Sequence, residues 1–447
     1  MKTLLEISGA LAAGTTTSRA LTETALARAD DKAGEGARVF TRLYREAALA
    51  EADASDRLRQ AGIVPSPLAG LPISIKDLFD VAGETTLAGS VVLKGKQAAK
   101  ADAPIVQRLR AAGAVIVGRT NMTEFAFSGL GLNPHYGTPR NPWDRKTGRI
   151  PGGSSSGAAV SVTDGMAAAA IGTDTGGSVR IPSALCGLTG FKPTARRVPT
   201  EGAFPLSFVL DSIGPLACSV ACCALLDAVL AGEPPQVPAA LPLAGLRFGA
   251  PQRYVLDGMD ATVSATYAAA LTRLSKVGAR IVDIPFAELE SLPAINAKGG
   301  IVTAEAYAIH RKLLAESGDR YDPRVGVRLR RGAAQDAADY IDLLAARRDL
   351  IARAAAVSAP FDALIMPTVP VVAPALAPLE ADDDLYAKTN VLVLRNPSAG
   401  NFLDRCALSL PCHAPGEAPV GLMLMGEHGQ DRRLLAIGLA VEAALKR

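Results

Sequence analysis

The sequence predicts an α/β protein whose helices pack on a β-sheet, and three observations carry that prediction. Short apolar runs flanked by glycine or proline recur along the chain, as in LAGLPISIK, AAAAIG and APVGLMLMG. Helical patterns lie between them. In DAPIVQRLRAAGAVIVGRT a helix, a stopping glycine and a buried strand follow one another directly, which is the rhythm of a βαβ unit. The 447 residues are 49% hydrophobic, enough for a large core, and the length alone permits one large domain or two to three smaller ones.

Residues 1–62 read as helical. In MKTLLEISGALAAG, Glu6 and Ser8 interrupt the apolar run before it reaches signal-peptide length, leaving an amphipathic helix with Leu4, Leu5, Ile7, Leu11 and Ala12 roughly on one face. TTTSRALTETALARADD adds Thr and Ser caps before an Ala- and Leu-rich pattern, and REAALAEADASDRLRQAG repeats the style. PLAGLPISIKDLFDV then reads as a strand around Leu71 to Ile75, and DAPIVQRLRAAG as an Asp-capped helix. AAVSVTDGM reads as a helix and AAAAIG as a buried strand. The Pro-rich segment 232–251 leads into a further strand, GLRFGAP. No shift in composition follows it, so it reads as a surface connection within one domain. Residues 260–357 read as mostly helical. FDALIMPTVPVVAP and APVGLMLMGEHG resume strand character, and DRRLLAIGLAVEAALK is a closing amphipathic helix. No run approaches 18 uninterrupted apolar residues, so no transmembrane helix is expected.

A net charge of +3 with scattered Lys and Arg argues against nucleic acid or an anionic membrane as a partner. Aromatic residues are 4% of the chain with a single Trp, which leaves little for stacking bases. The cysteines, Cys186, Cys218, Cys222, Cys223, Cys406 and Cys412, form no pair of CxxC motifs. They read as small buried hydrophobes of a reducing, cytoplasmic protein without a metal site.

Candidate chemistry concentrates in two glycine loops. PGGSSSG carries Ser154, Ser155 and Ser156, and DTGGS carries Ser178. A helix-to-strand unit separates them and can return both to the same edge of a sheet. Neither loop matches GxGxxG or GxxxxGK[ST], which disfavours a phosphate site. Ordinary tight turns remain the plain alternative; a nucleophile beside free backbone N–H groups is the chemical one. Such a nucleophile needs a base. His135, His310, His413 and His428 lie in no serine-hydrolase context and read as loop or surface histidines. Asp164 or Asp174 could orient a partner but is too weakly basic to activate a serine alone. Lys76 follows an apolar strand, and burial lowers a lysine pKa towards neutrality; a lysine snorkelling at a strand end is the structural alternative.

Taken together, LAGLPISIKDLFDVAGETTLAGS, GAVIVGRTNMTEFAF, RNPWD, GRIPGGSSSGAAVSV and AAIGTDTGGSVRIPSALCGLTGFKPT resemble successive blocks of the amidase signature family. The resemblance runs from about residue 20 to the end and is densest from 65 to 220. It implies a single large domain with a central mixed β-sheet covered by helices on both faces. Residues 1–62 would be a helical segment packed on the core, 63–230 the catalytic core, and 231–447 the remainder, with a helical substrate-pocket region at 260–357. Carried over residue by residue, it implies Lys76, Ser154 and Ser178 as the catalytic set, with a cis peptide before Ser154. The backbone of Thr175, Gly176, Gly177 and Ser178 would hold the oxyanion. Ser155, Asp174 and Arg180 would form a supporting network. No cofactor is implied.

The activity so implied is hydrolysis of a small carboxamide through an acyl-enzyme on Ser178. Within the family, the alternatives are a hydrolase of biuret-like compounds working with a small partner, and the glutamine-hydrolysing subunit of an amidotransferase. Outside it stands a non-catalytic binding protein that kept the fold. The Tyr-rich helical stretch typical of the amidotransferase component is here AADYIDLLAARRDL, with one tyrosine. Arg348 in that stretch sits where some relatives bind a substrate carboxylate, though a helix-surface arginine is at least as good a reading. The acyl pocket is expected from residues 125–145 and 260–350, with Tyr307, Tyr321 and Tyr340. The amphipathic N-terminal helices offer a face for pairing two copies.

Overall fold

A computed structural model describes residues 1–446. Its strands, in chain order, are β1 (Phe40–Leu43), β2 (Pro72–Lys76), β3 (Val115–Thr120), β4 (Ala169–Thr173), β5 (Thr189–Lys192), β6 (Ile213–Ala217), β7 (Arg247–Pro251), β8 (Arg280–Ile284), β9 (Ala363–Pro367), β10 (Ala407–Pro411) and β11 (Gly421–Met425). They form one sheet in the order β1-β3-β2-β4-β6-β5-β10-β11-β9-β7-β8. Pairing is parallel in β3–β2–β4 towards one end and in β9–β7–β8 at the other, and antiparallel everywhere else. The sheet is therefore mixed.

Alternation along the strands buries both faces, because successive side chains point to opposite sides. Ile365, Leu408, Leu422 and Leu424 enter one cluster, which also holds residues of the helices Val220–Ala231, Ala261–Lys276 and Asp431–Leu445. Leu364, Met366, Ala407, Met423 and Met425 enter another, against the helices Ala337–Ser358 and Asp383–Phe402. In β2, Ile73 and Ile75 face the first cluster, while Ser74 Oγ lies 2.9 Å from Ser161 Oγ on the helix Ser156–Thr163. Lys76, two residues on from Ser74, is directed to that same second face.

Several expectations need correction. β1 lies in the segment expected to be helical and β8 in the mostly helical stretch; four or five residues beside long helices are too few to register as a period. The helix Pro104–Ala111 is capped by Ala103 with no side-chain bond, Pro104 supplying its first turn. Asp102 instead accepts from the Ala82 N–H at 2.8 Å. In the helix Leu4–Ala12, Leu4 and Leu11 are buried but Leu5 is 46% exposed, since seven residues make nearly two whole turns and one residue makes 100°. Leu4 and Leu11 pack into this chain's own core, and Leu5 stands outside it. Among the described residues no helix is long and apolar enough to cross a membrane.

Candidate active site

Lys76 ends β2, a strand buried along its whole length. Its Nζ donates to Ser154 Oγ and to Thr173 Oγ1, both at 2.8 Å. No carboxylate among the described residues lies within ion-pair distance of it. Burial draws the amine down to about 7, although the more distant charges of Asp211 and Asp174 favour the proton. Thr173 stands beside it because β2 and β4 run parallel, Ile75 paired with Ile171, so that both strands end at one edge.

The first glycine loop leads into the helix Ser156–Thr163, and its Gly153–Ser154 peptide is cis. Thr123 N–H donates to the Ser154 carbonyl at 3.0 Å. Ser155 joins the two loops: its N–H donates to the Ser178 carbonyl at 3.3 Å and its hydroxyl to the Thr173 carbonyl at 3.4 Å. Ser154, Ser155 and Ser178 are all buried. Among the described residues no hydrogen bond joins Ser154 Oγ to Ser178 Oγ.

The second loop folds around the Asp174 carboxylate. It accepts from the backbone N–H groups of Gly177 at 2.9 Å, Val179 at 3.1 Å and Arg180 at 3.3 Å. Arg180 also forks onto it through Nε at 3.0 Å and Nη2 at 2.8 Å, and Asn401 Nδ2 adds a bond at 2.9 Å. Burial works against the charge, but the Arg180 guanidinium outweighs it and holds the carboxyl well below the usual carboxylate range.

Gly177, read with its neighbours as an oxyanion donor, therefore has its N–H engaged by Asp174. What its position demands is conformation: φ is 127°, and a Cβ there would meet Pro397 Cβ at 2.6 Å. Among the described residues the N–H groups of Thr175, Gly176 and Ser178 donate to no backbone or side-chain acceptor. Three donors remain for an oxyanion.

Two cavities meet at Thr175. One, of about 230 Å³, is walled by Leu78, Thr173, Thr175, Phe204 and Asp211. Thr175 Oγ1 hydrogen-bonds Asp211, and burial pushes that carboxyl up to about 6 against the bonds from Thr175 and Leu206. The other, of about 500 Å³, is walled by Thr175, Gly176, Tyr254, Arg395 and mostly apolar side chains. Ser178 lines neither.

The family model described as Amidase matches residues 20–435. The chain belongs to the amidase family. It is 39% identical over 397 residues to the 2-amino-5-chloromuconic acid deaminase of Comamonas testosteroni, covering 88% of this chain and 86% of that protein. It is 36% identical to a glutamyl-tRNA(Gln) amidotransferase subunit of Chloroflexus aggregans, covering 97% of this chain and 94% of that one. A crystal structure of an amidase superposes with a TM-score of 0.88 at 35% identity, covering 99% of each chain. The mixed sheet with helices on both faces is thus the fold of this amidase family.

The histidines stand apart from the site. His135 Nε2 contacts Glu124 at 2.8 Å, and His310 is buried against Tyr321, its pKa drawn down to about 4. His413 and His428 contact backbone carbonyls. Arg348 is exposed on its helix and lines neither cavity, and Tyr307, Tyr321 and Tyr340 line neither. Of segment 125–145 only Ala126 reaches the wall of either cavity, while Leu292 to Val302 line part of the larger one. Sequence reasoning missed Thr173, Asp211, Asn401 and Arg395. Thr173 was findable as the neighbour of Asp174 at the end of a strand; Asn401, 227 residues from Asp174, has no local signal.

Proposed function

We propose that this amidase hydrolyses a small carboxamide to the carboxylic acid and ammonia or an amine, with Ser178 as nucleophile and Ser154 and Lys76 as the proton relay. The observation that carries the reading is the buried Lys76 amine, near 7, held 2.8 Å from the Ser154 hydroxyl beneath the Ser178 loop. Ser178 Oγ attacks the amide carbonyl carbon. Its proton passes to Ser154 Oγ as the Ser154 proton passes to neutral Lys76 Nζ. This needs a hydrogen bond from Ser178 to Ser154, a contact that substrate binding closes. The N–H groups of Thr175, Gly176 and Ser178 hold the oxyanion. Collapse expels the amine, which takes the proton back through Ser154. Water, deprotonated by the same relay, then attacks the acyl ester and frees Ser178. Ser155, Asp174 and Arg180 fix the two loops and touch no reacting atom.

The test is ammonia release by the purified chain from acetamide, benzamide, indole-3-acetamide, malonamate, glutamine and biuret derivatives, beside Ser178→Ala. Release that disappears in the variant supports the reading. Silence from folded protein across the panel overturns a self-sufficient hydrolase. The likeness to an amidotransferase component over nearly the whole chain favours a second reading, in which glutamine is the amide and a partner protein receives the ammonia. Release from glutamine alone, or only after a partner is added, would select it.

A further inference from the structure

The larger cavity beside Thr175 and Gly176 holds one cation. Its wall is otherwise apolar for the most part, with Leu210, Leu292, Ile301, Val302, Leu394 and Phe402. Arg395 lines it from the helix Asp383–Phe402 and is half-buried. Among the described residues no carboxylate comes within ion-pair distance of it, whereas the buried arginines Arg119, Arg180 and Arg405 each pair with one. The guanidinium is nevertheless held in place. Its Nε donates to Asn396 Oδ1 at 3.0 Å and its Nη2 to the Val255 carbonyl at 3.0 Å. Asn396 is itself fixed, its Nδ2 donating to the carbonyls of Val255 and Pro367 at 2.9 Å each. The Tyr254 ring lies 5.7 Å from the guanidinium carbon. Nη1 is left with no protein acceptor among the described residues.

A guanidinium drawn partly out of water with only the more distant Asp257 to offset its charge is unfavourable, and a fixed planar fork is the geometry that receives a carboxylate. We infer that Arg395 receives a carboxylate on the acyl part of the substrate, so that the amides taken are ω-carboxy amides, the monoamides of dicarboxylic acids. The inference rests on the amidohydrolase reading only in placing the amide at Thr175 and Gly176. The apolar wall between accounts for the hydrocarbon that links the two ends. A merely structural Arg395 would staple Val255 to its helix and leave ligand choice unchanged.

The experiment uses full-length Ser178→Ala, so that binding is read without turnover. Malonate, succinate, glutarate, adipate and terephthalate are titrated by calorimetry beside their neutral diamides. The same titrations are run on Ser178→Ala/Arg395→Gln and Ser178→Ala/Arg395→Lys. At least one diacid is expected to bind tenfold or more tightly than its diamide, and thirtyfold or more weakly once Arg395 is Gln. Lys, keeping the charge but losing the fork, should fall between. If the Gln protein does not fold, the diacid preference in Ser178→Ala and its loss in the Lys protein decide. Equal binding of acids and diamides, no binding of either, or unchanged binding in the Arg395 variants overturns the inference. In the active chain, ω-carboxy amides should show a KM raised thirtyfold or more by Arg395→Gln. Diacid binding that depends on Arg395, in a chain releasing no ammonia from any amide, would sink the amidohydrolase reading and leave the carboxylate site standing.

Discussion

Arg180 and Lys76 are both fully buried cations on the same face of the sheet, beneath the two glycine loops. Arg180 forks onto Asp174, whose carboxylate also gathers three backbone N–H groups of the second loop. Lys76 meets only the hydroxyls of Ser154 and Thr173. Desolvation acts on both cations, and the difference is the counterion. A guanidinium with a fixed carboxylate becomes a structural pair that shapes a loop. An amine offered neutral acceptors is drawn towards losing its proton near pH 7, which is what a base requires.

Removing the base should give the largest effect. Lys76→Ala is expected to lower kcat by about 10⁴-fold or more with the fold kept, by analogy with losses on removing a catalytic base. Residual activity above a hundredth of wild type would mean that Lys76 is not the base. Asp174→Asn attacks the other half of the comparison, leaving Arg180 buried without its counterion. We expect a loss of about 3–5 kcal/mol in denaturant unfolding, the usual range for breaking a buried pair. A change under about 1 kcal/mol would show that the pair does not hold the loop.

The loop geometry sharpens the contrast. Gly177→Ala must place a Cβ at φ 127° against Pro397 and should cost about 2–4 kcal/mol. Gly176→Ala meets nothing nearer than Leu394 Cδ2 at 3.6 Å and should cost less than about 1 kcal/mol, its effect falling on KM as the methyl enters the larger cavity. Equal costs would contradict the assignment of Gly177 as the position that needs glycine.

Protonation separates the two cations again. In the proposed mechanism the neutral amine is the active form, so kcat/KM should rise with pH through an apparent pKa near 7. Stability follows the same group. Below about 7 Lys76 is charged in both folded and unfolded chains; between about 7 and its ordinary 10.5 only the unfolded chain holds the proton, so this group makes unfolding less favourable as pH rises. Lys76→Met removes that slope. Its melting temperature relative to wild type should therefore fall between pH 7 and 10, and a constant difference would argue against a depressed lysine. The smallest change expected is in Thr173→Val. Losing one acceptor disfavours the ammonium further, moving the limb of the pH profile down by about half a unit to one unit.

Much of the reactive loop was legible because its signals are local. PGGSSSG and DTGGS stand on either side of one helix and one strand, and an apolar run delivers Lys76 to a sheet edge. Those segments are continuous in the chain, so order and period were enough to bring the two serine loops to one sheet edge, while the family resemblance joined Lys76, Asp174 and Arg180 to Ser154 and Ser178. The division of labour among the N–H groups was not legible, because whether Gly177 donates to Asp174 or outwards is set by where Arg180 and Asn401 hold that carboxylate. Nor was the cavity. Its walls come mostly from Tyr254, Leu292 to Val302 and Val391 to Phe402, segments remote in sequence that meet only when the whole chain has folded. Sequence carries period and neighbourhood, and so determines elements and the motifs they present. Which distant side chains share a wall is set by packing over the whole core, and only the tertiary structure could decide that Arg395, rather than Arg348, lines the cavity beside Thr175 and Gly176.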